Sequence, residues 1–208
     1  MVKKIQRKDG IEYQRQDKRN LIPSTEQYNE TLQQLIEQND MNTLIAVRLG
    51  CELGMSRIEI VNAEIRNIDR EHKRGLWIDV AKHVRRGKDK FVMRSREIPI
   101  NLDLYTLLLN YVDKDLKYIL KRERKGPIAK PMQELHINYL YERANIPWAT
   151  HKSRHYFKNR VRDWMRTNRQ MDEELVRHFM GHKHMDAHQS YGDFSWDYKL
   201  DVIDKVFR

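Results

Sequence analysis

The sequence predicts a mainly α-helical domain that carries a small antiparallel β-sheet, an α+β fold. Apolar residues recur at helical spacing through most of the 208-residue chain. Two segments near the middle alternate in strand fashion around a polar stretch with a glycine, which indicates a β-hairpin. The length suits one domain with its own core, so we expect residues 22–208 to form it and residues 1–21 to be a basic arm or linker.

Helix-capping signals predict the first two helices. Ser24 and Gln27 have the spacing of a capping box, in which each side chain bonds the backbone N–H of the other residue. A second helix is predicted over about residues 41–53, and Gly54 ends it. The apolar face of the first helix is expected to consist of Tyr28, Leu32, Leu35 and Ile36.

A third helix is predicted to begin at Arg57, because Ser56 and Glu59 repeat the capping-box spacing. A cation in the first turn opposes the helix dipole, so helix stability does not explain Arg57. Its side chain is free to reach an anion beyond the helix end, where the first backbone N–H groups also favour negative charge. A solvated surface arginine is the alternative.

The predicted hairpin and two further helices occupy the middle of the chain. Residues 75–82, GLWIDVAK, and 91–100, FVMRSREIPI, are the two strands, and the basic stretch HVRRGKDK between them is the tip. Asp103 is then expected to cap a helix that runs to about Arg122, where KGP follows as a breaker. Another helix covers about residues 132–144.

Three more helices are predicted in the C-terminal part of the chain. The first begins at about residue 152, and its apolar face holds Phe157, Val161, Trp164 and Met165. Asp172 is the expected N-cap of a short helix that ends at Gly181. The last helix presents an apolar face of Tyr198, Val202, Ile203 and Val206.

Arg154 is predicted to point toward the interior. It lies three residues before Phe157 and so extends the buried stripe of its helix by one turn. A charge in that position needs a partner. His151, one turn earlier, lies on the same side, so the two side chains converge at the helix entrance. A salt-bridged arginine beside a capping histidine is the simpler alternative.

The charge of the chain favours a polyanionic partner. Lys and Arg number 40 against 30 Asp and Glu, and the formal net charge is +10. Basic residues cluster within 1–20, 82–96 and 114–130, with seven Lys or Arg in each. Three such clusters along one strip of surface would suit duplex DNA, whose phosphates form a line of charge. A generally basic soluble protein is the alternative.

The cysteine count and the hydropathy of the sequence indicate the cellular compartment of the protein. Cys51 is the single cysteine, which excludes an internal disulfide and a zinc ribbon. No stretch approaches eighteen consecutive apolar residues, and the N-terminus lacks the apolar core of a signal peptide. We therefore expect a cytoplasmic protein that does not enter a membrane.

Histidines at four-residue spacing raise the possibility of a metal site. The pairs are His151 and His155, His178 and His182, and His184 and His188. His178 lies in the last turn of its predicted helix, where a positive charge suits the helix dipole. Gly181 ends that helix between His178 and His182, and no HExxH glutamate is present. We therefore assign His178 a structural role, expect His184 and His188 to be spacer or surface residues, and expect no metal.

The residues also contain a set suited to cutting a phosphodiester without metal. Two arginines stabilise the nonbridging oxygens, because each guanidinium binds phosphate with two donors. A tyrosine attacks the phosphorus. A histidine and a lysine transfer protons, one from the nucleophile and one to the leaving 5′ oxygen. The chain holds such a set in the order Arg57, Lys82, His151, Arg154, His182 and Tyr191.

This order and its local sequences resemble the tyrosine recombinases, the phage integrase family, over about residues 22–208. HKSRH at 151–155 is similar to the family's HxxRH box, and FMGH at 179–182 to its LGH box. Tyr191 follows His182 by nine residues, as the family's nucleophile does. The strand pair resembles the one that carries the family's catalytic lysine, which implies Lys82, with Lys88 as the runner-up.

One box departs from the family pattern. The family's first box usually reads G-L-R-x-x-E, whereas this chain has GMSRIE, with Ser56 at the arginine position. Arg57 stands one position later and is the only arginine in that turn. We expect the helix entrance to be shifted by one residue, so that Arg57 still reaches the phosphate.

The resemblance implies a tyrosine recombinase catalytic-domain fold and its mechanism. Tyr191 would form a 3′-phosphotyrosyl link, while Arg57 and Arg154 hold the nonbridging oxygens. The remaining roles are proton transfer for His151, protonation of the 5′ oxygen for Lys82 and a phosphate hydrogen bond for His182. The covalent link preserves the phosphodiester energy, so no metal, nucleotide or other cofactor is implied.

The resemblance further implies double-stranded DNA as the partner and a tetramer assembled on it, without a small-molecule substrate. It suggests a viral or mobile-element integrase acting at the nucleoid of a prokaryotic host. Family members usually carry a separate DNA-clamping domain before the catalytic one, and 21 residues cannot form it, so we expect a fragment or a minimal form. The helix after Tyr191 could dock on its own domain or on a neighbour.

Two other functions fit the same surface. One is a DNA-binding module without catalysis, and the displaced Arg57 is its main support. The other is a topoisomerase with a tyrosine nucleophile, which needs no assembly and no specific site.

Overall fold

A computed structural model of the chain describes residues 3–6, 12–15, 21–69, 73–78, 84–86, 90–92, 96–112, 115–121, 131–170, 172–181 and 194–208, with the backbone alone at 3–6, 12–15, 84–86 and 90–92. The helices are α1 Thr25–Glu37, α2 Met41–Glu52, α3 Arg57–Asn62, α4 Leu102–Tyr111, α5 Glu134–Arg143, α6 Thr150–Thr167, α7 Glu173–Phe179 and α8 Trp196–Val206, with a 3-10 helix at Ile65–Asn67. The strands are β1 Lys3–Gln6, β2 Glu12–Arg15, β3 Gly75–Ile78, β4 Val84–Arg86, β5 Lys90–Val92 and β6 Arg96–Pro99. The predicted mainly α fold with a small antiparallel sheet is confirmed.

The predicted central hairpin is present as two strand pairs. β3 pairs antiparallel with β6, which sets Leu76 opposite Ile98 and Ile78 opposite Arg96. Leu76 and Ile98 are buried, whereas Trp77, next to Leu76 in the alternation, points outward. β4 and β5 form a second antiparallel pair at the basic tip. The sheet thereby anchors Arg96 at the start of β6, next to the helical core.

The N-terminal segment contains two short strands. β1 and β2 pair antiparallel within residues 1–21, the predicted basic arm or linker, with Ile5 opposite Tyr13. The strands are only four residues each, too short for the alternation to stand out in the sequence.

The helix boundaries confirm the first three predicted starts and correct the fourth. The capping boxes of Ser24 and Ser56 are both formed. Asn101, not Asp103, caps α4, because its side chain accepts from the backbone N–H of Leu104 at 2.9 Å. α4 also ends at Tyr111 instead of near Arg122. The chain beyond it bonds the backbone around the 3-10 helix, as at Ile119 N–H and Ala63 O, 2.9 Å apart, and cannot stay helical.

The hydrophobic core has two adjoining parts. The larger part joins α1 to α5 with the β3–β6 pair, and the smaller part packs α6 against α7 and α8. In the smaller part the rings of Phe157 and Phe179 meet edge to face, with centroids 6.1 Å apart. The apolar face predicted for α1 is correct except for Ile36, which is 55% exposed because the buried face is centred on Tyr28 and Leu35.

A buried carboxylate ties three helices of the larger core together. Glu52 of α2 is 2% exposed, and Arg48 binds both of its oxygens at 2.6 and 3.0 Å. Tyr28 of α1 and Asn101 before α4 each donate to it at 2.5 Å. These partners satisfy a charge that would otherwise be costly to bury.

The last helix packs on its own domain. Val202, Ile203 and Val206 of α8 are buried in the smaller core. Arg74 before β3 makes a two-donor ion pair with Asp204 at 2.9 and 2.7 Å. Of the two positions that the sequence allows for this helix, the structure has the intramolecular one. Across the described ranges, the chain contains no helix of the length and hydropathy that a bilayer span requires.

Candidate active site

Glu59 is the centre of a buried charge cluster. Its side chain is 2% exposed and lies in the first turn of α3. Oε2 accepts hydrogen bonds from the backbone N–H of Ser56 at 2.6 Å and from its hydroxyl at 3.0 Å. The capping box therefore holds a carboxylate at one fixed position beneath the start of α3.

Arg96 reaches this carboxylate from β6. Its Nε lies 3.0 Å from Oε1 of Glu59 and its Nη2 lies 2.9 Å from Oε2, the parallel pairing of a guanidinium with a carboxylate. Nη1 also donates to the main-chain oxygen of Phe179 at the end of α7. With 8% of its side chain exposed, Arg96 is a buried member of the cluster.

Arg154 reaches the same carboxylate from α6, in agreement with the prediction that it points inward and needs a partner. Its Nη1 lies 3.2 Å from Oε2 of Glu59 and 2.6 Å from the carbonyl oxygen of Gly54. Its Nη2 donates to the carbonyl oxygen of Met180 at 2.5 Å. Arg154 therefore joins α6 to the ends of α2 and α7, and 16% of its side chain stays exposed.

The cluster perturbs its own members. Burial, together with the neighbouring charge of Arg96, lowers the pKa of Arg154 to about 10, and Glu59 only partly opposes this. Burial by itself would raise the pKa of Glu59, but Arg96 and Arg154 outweigh it and hold that pKa below its ordinary value. Two cations around one carboxylate leave the cluster with one positive charge in excess.

Two glycines shape the backbone around the arginines. Gly54 has φ +61°, and a Cβ there would lie 2.6 Å from the ring of Phe157. Gly181 has φ +64°, and a Cβ there would lie 2.7 Å from Cδ of Arg96. Both positions require glycine, because a side chain would be strained in the left-handed conformation and would collide with its neighbour. The predicted role of Gly181 at the end of α7 is confirmed.

His151 lies in the first turn of α6, one turn before Arg154, and its side chain is exposed. Its ring meets that of His155 edge to face, with centroids 6.1 Å apart. The imidazole of His151 is therefore accessible from solvent. Within the described ranges, no group of three His, Cys, Asp or Glu side chains is placed to hold a metal ion.

Arg57 is not part of the Glu59 cluster. Its Nη2 lies 3.1 Å from Oε1 of Glu134 at the start of α5, and the two side chains are 34% and 42% exposed. Among the residues that the structure describes, no ion pair links Arg57 with Glu59. The structure therefore brings Arg154 together with a different arginine, Arg96, from the one that the sequence pairs with it.

The other candidates lie outside the described residues. These are Lys82, its runner-up Lys88, His182 and Tyr191, together with His184 and His188. His178 is described, and its ring contacts Phe194 edge to face at 6.2 Å, in keeping with a structural role.

Two members of the cluster, Glu59 and Arg96, are not predicted from the sequence. The capping-box spacing marks Glu59 only as a helix-start residue, and the strand pattern marks Arg96 only as one charge among several. The G-L-R-x-x-E box, whose last position Glu59 matches, is the signal available for the carboxylate. Nothing local in the sequence marks Arg96, because its partners lie 37 and 83 residues away.

Comparison with known proteins assigns the family. The model of the phage integrase family matches residues 24–195. The chain belongs to this family. The match contains α1 to α7 and the central hairpin, and so the whole of the Glu59 cluster. No curated protein matches the chain in sequence.

Solved structures of two integrases and a recombinase show the same fold. The integrase from mycobacterium phage Brujita has a TM-score of 0.62 at 15% identity, over 94% of this chain and 62% of that one. XerA recombinase has a TM-score of 0.58 at 17% identity, over 91% and 66%. A lambda integrase dimer bound to a COC′ core site has a TM-score of 0.55 at 13% identity, over 87% and 63%. This integrase-family chain thus spans 62% to 66% of their lengths.

Proposed function

We propose that this integrase-family chain is a site-specific recombinase that cleaves and rejoins double-stranded DNA through a 3′-phosphotyrosyl intermediate. The observation that carries the proposal is the position of Arg154. Its guanidinium is held by Glu59 and by the carbonyl of Met180, directly before Gly181 and His182, in a cluster with one excess positive charge. Such a preorganised cation can stabilise the charge that grows on a phosphate during cleavage.

Each step of the proposed reaction uses one of the predicted residues. The phenolic oxygen of Tyr191 attacks the phosphorus, a bond to the 3′ phosphate forms, and the bond to the 5′ oxygen breaks. His151 assists removal of the phenolic proton, and Lys82 gives the 5′ oxygen a proton, with Lys88 as the runner-up. Rejoining runs the same steps in reverse, so the exchange needs no metal and no nucleotide.

The phosphate contacts are assigned to three side chains. Arg154 and Arg57 bind the nonbridging oxygens, and His182 donates a hydrogen bond to them. Arg57 must leave Glu134 to do so, and this exposed ion pair is weak enough to exchange for a phosphate. His151, which assists the proton transfer instead, has an exposed side chain in the first turn of α6.

The proposed partners are duplex DNA and further copies of the chain, in the nucleoid of a prokaryotic host. Solved relatives of the fold include a lambda integrase tetramer bound to a Holliday junction, with a TM-score of 0.55 and 14% identity. The formal charge of +10 favours DNA without regard to sequence. Four copies would place four sites around two duplexes, with residues 22–208 as the catalytic domain of each.

Covalent trapping tests the proposal even when the target site has not been identified. The protein is incubated with a pool of nicked duplexes of randomised sequence, from which a cleaved strand loses a short 5′-hydroxyl end and cannot be rejoined. We expect DNA that stays attached to the protein under denaturing conditions, with a recurring sequence and with no attachment to the Tyr191→Phe variant.

Other outcomes assign other functions. DNA binding without any adduct from the pool would support a binding module and contradict the proposal. Relaxation of supercoiled plasmid without pairing of two duplexes would indicate a topoisomerase. Tyr198→Phe is the matched control for Tyr191→Phe, because Tyr198 lies on α8 and packs against the smaller core.

A further inference from the structure

We propose that Arg96 is a positioning residue of this site, which neutralises Glu59 so that Arg154 keeps an unbalanced positive charge for the DNA phosphate. The inference rests on the proposed function and adds to it a residue that the sequence does not suggest. Arg96 acts through Glu59 and the end of α7, without touching the phosphate itself.

The hydrogen bonds of Arg96 leave it little capacity for a substrate. Nε and Nη2 bind the two oxygens of Glu59, Nη1 donates to the carbonyl oxygen of Phe179, and Nη2 also lies 3.5 Å from the carbonyl oxygen of Gly54. These bonds engage four of the five N–H groups of a guanidinium. Gly181 covers the side chain, since a Cβ there would lie 2.7 Å from Cδ of Arg96.

Arg154 is placed in the opposite way. Its two Nη1 hydrogens are directed to Gly54 and Glu59, and one Nη2 hydrogen is directed to Met180. Nε and the second Nη2 hydrogen have no hydrogen-bond partner within the described part of the chain. Nε and Nη2 share one edge of the planar group, and such an edge binds two phosphate oxygens at once. Arg154 is therefore the arginine that can bind substrate.

The charges of the cluster explain why two arginines are needed. Arg154 and Glu59 alone would form a neutral buried pair, and a phosphate beside that pair would meet no excess positive charge. Arg96 binds both oxygens of Glu59 and restores one excess positive charge, which a single phosphodiester charge balances. Burial, and after it the charge of Arg96, lowers the pKa of Arg154, in agreement with a cluster that holds more positive than negative charge.

Arg96 also fixes the chain that leads to His182. Arg96 and Arg154 bind successive carbonyls, those of Phe179 and Met180, at the end of α7. Carbonyls at a helix end have no partner within the helix and would otherwise need water. The two guanidiniums thereby hold the point from which the segment with His182 and Tyr191 departs.

The test compares Arg96→Met, Arg96→Lys and the double variant Glu59→Gln with Arg96→Met. The substrate is the duplex selected by covalent trapping, with a phosphodiester or a neutral methylphosphonate at the cleaved position. We expect Arg96→Met to slow adduct formation at saturating DNA about 100-fold, with the half-saturating DNA concentration little changed. Arg96→Lys keeps the positive charge but not the two-donor geometry of the guanidinium, so its rate of adduct formation should fall less than that of Arg96→Met.

Two further measurements distinguish a positioning role of Arg96 from a role in stability alone. The defect of Arg96→Met should shrink at least about tenfold on the methylphosphonate, because a neutral centre needs less positive charge. Adding Glu59→Gln should also speed the Arg96→Met variant, because no carboxylate then balances the positive charge of Arg154. An Arg96→Met rate equal to wild type, or a defect that neither change relieves, would overturn the inference.

Arg74→Met is the matched control, because Arg74 makes an equally paired ion pair with Asp204 outside the site. It should lower stability and leave the rate at saturating DNA unchanged.

If the wild type forms no adduct, the proposed function fails, and the role of Arg96 is tested by phosphate binding instead. The Arg154 Nε–H signal in NMR is then titrated with inorganic phosphate. We expect at least about fivefold weaker phosphate binding in Arg96→Met, because Glu59 then balances the charge of Arg154, and equal binding would contradict the inference.

Discussion

Arg154 on α6 donates to the carboxylate of Glu59 on α3 across 3.2 Å, although 95 residues separate them in the chain. Arg96 binds the same carboxylate from β6, so helix α3, helix α6 and the sheet meet at one buried anion. The arginine that we propose as a phosphate ligand is thus also part of the domain's internal structure. Stability and activity are therefore expected to be coupled at Glu59.

Removing the carboxylate of Glu59 should be strongly destabilising. Glu59→Ala leaves two buried guanidiniums without their anion, and breaking a buried pair in this way costs about 3–5 kcal/mol. Glu59→Gln keeps the shape and should cost less. Urea unfolding followed by circular dichroism measures both free energies of unfolding, and an Ala variant within about 1 kcal/mol of wild type would contradict the buried cluster.

The cluster should make stability sensitive to acid. The two arginines hold the pKa of Glu59 below its ordinary value of 4.5, against the effect of burial. A carboxyl with a lowered folded-state pKa contributes stability that is present above about pH 4.5 and is lost as the pH falls through that lower pKa. Between pH 4.5 and the lower pKa, wild type should therefore lose more stability than Glu59→Gln. Urea midpoints measured from neutral to acidic pH test this, and parallel pH profiles would count against it.

Arg57 should affect activity far more than stability. Its ion pair with Glu134 is partly exposed, so Arg57→Ala should change the free energy of unfolding by less than about 1 kcal/mol. Loss of a phosphate ligand should slow adduct formation about 10²–10³-fold. Glu134→Gln, which frees Arg57 without removing it, is the control and should not slow the reaction. An unchanged rate of adduct formation in Arg57→Ala would show that Arg57 is a surface arginine without a role in the reaction.

Gly54→Ala should disturb both the fold and the site. The new Cβ would lie 2.6 Å from the ring of Phe157 in a residue with φ +61°, and overpacking alone costs about 1–3 kcal/mol. Any shift of the Gly54 carbonyl also weakens its 2.6 Å hydrogen bond with Arg154. The free energy of unfolding and the rate of adduct formation should both be lower than in wild type. A variant within about 0.5 kcal/mol of wild type would show that the backbone there adapts freely.

The packing of α8 on its own domain predicts the effect of Ile203→Ala. Ile203 is fully buried in the smaller core, so truncation should cost about 2–5 kcal/mol. Asp201→Asn is the control on the same helix, because its pair with Lys205 is exposed and contributes little. The unfolding midpoint should not depend on protein concentration. A midpoint that rises with concentration would indicate that α8 packs on a neighbouring copy.

Local chemistry makes much of the fold predictable. The capping boxes of Ser24 and Ser56 depend on residues three apart, and both are formed. The apolar face of α8 and the glycine end of α7 are likewise visible in the sequence. The predictions fail where a distant contact decides. α4 ends early because the chain beyond it bonds the backbone near Ala63, and Ile36 is exposed because the buried face of α1 lies on another side.

The family of this chain can be read from its amino acids alone, through the order and spacing of the boxes around Arg154 and His182. Helical periodicity likewise predicts that Arg154 points inward. The partners of Arg154 depend on the packing of the folded chain. A buried charge requires a partner, but periodicity does not say which carboxylate or carbonyl group the fold brings close to it. Glu59 and Arg96 come from a capping turn and a strand end, and their interactions with Arg154 exist only once α3, α6 and the sheet have packed together.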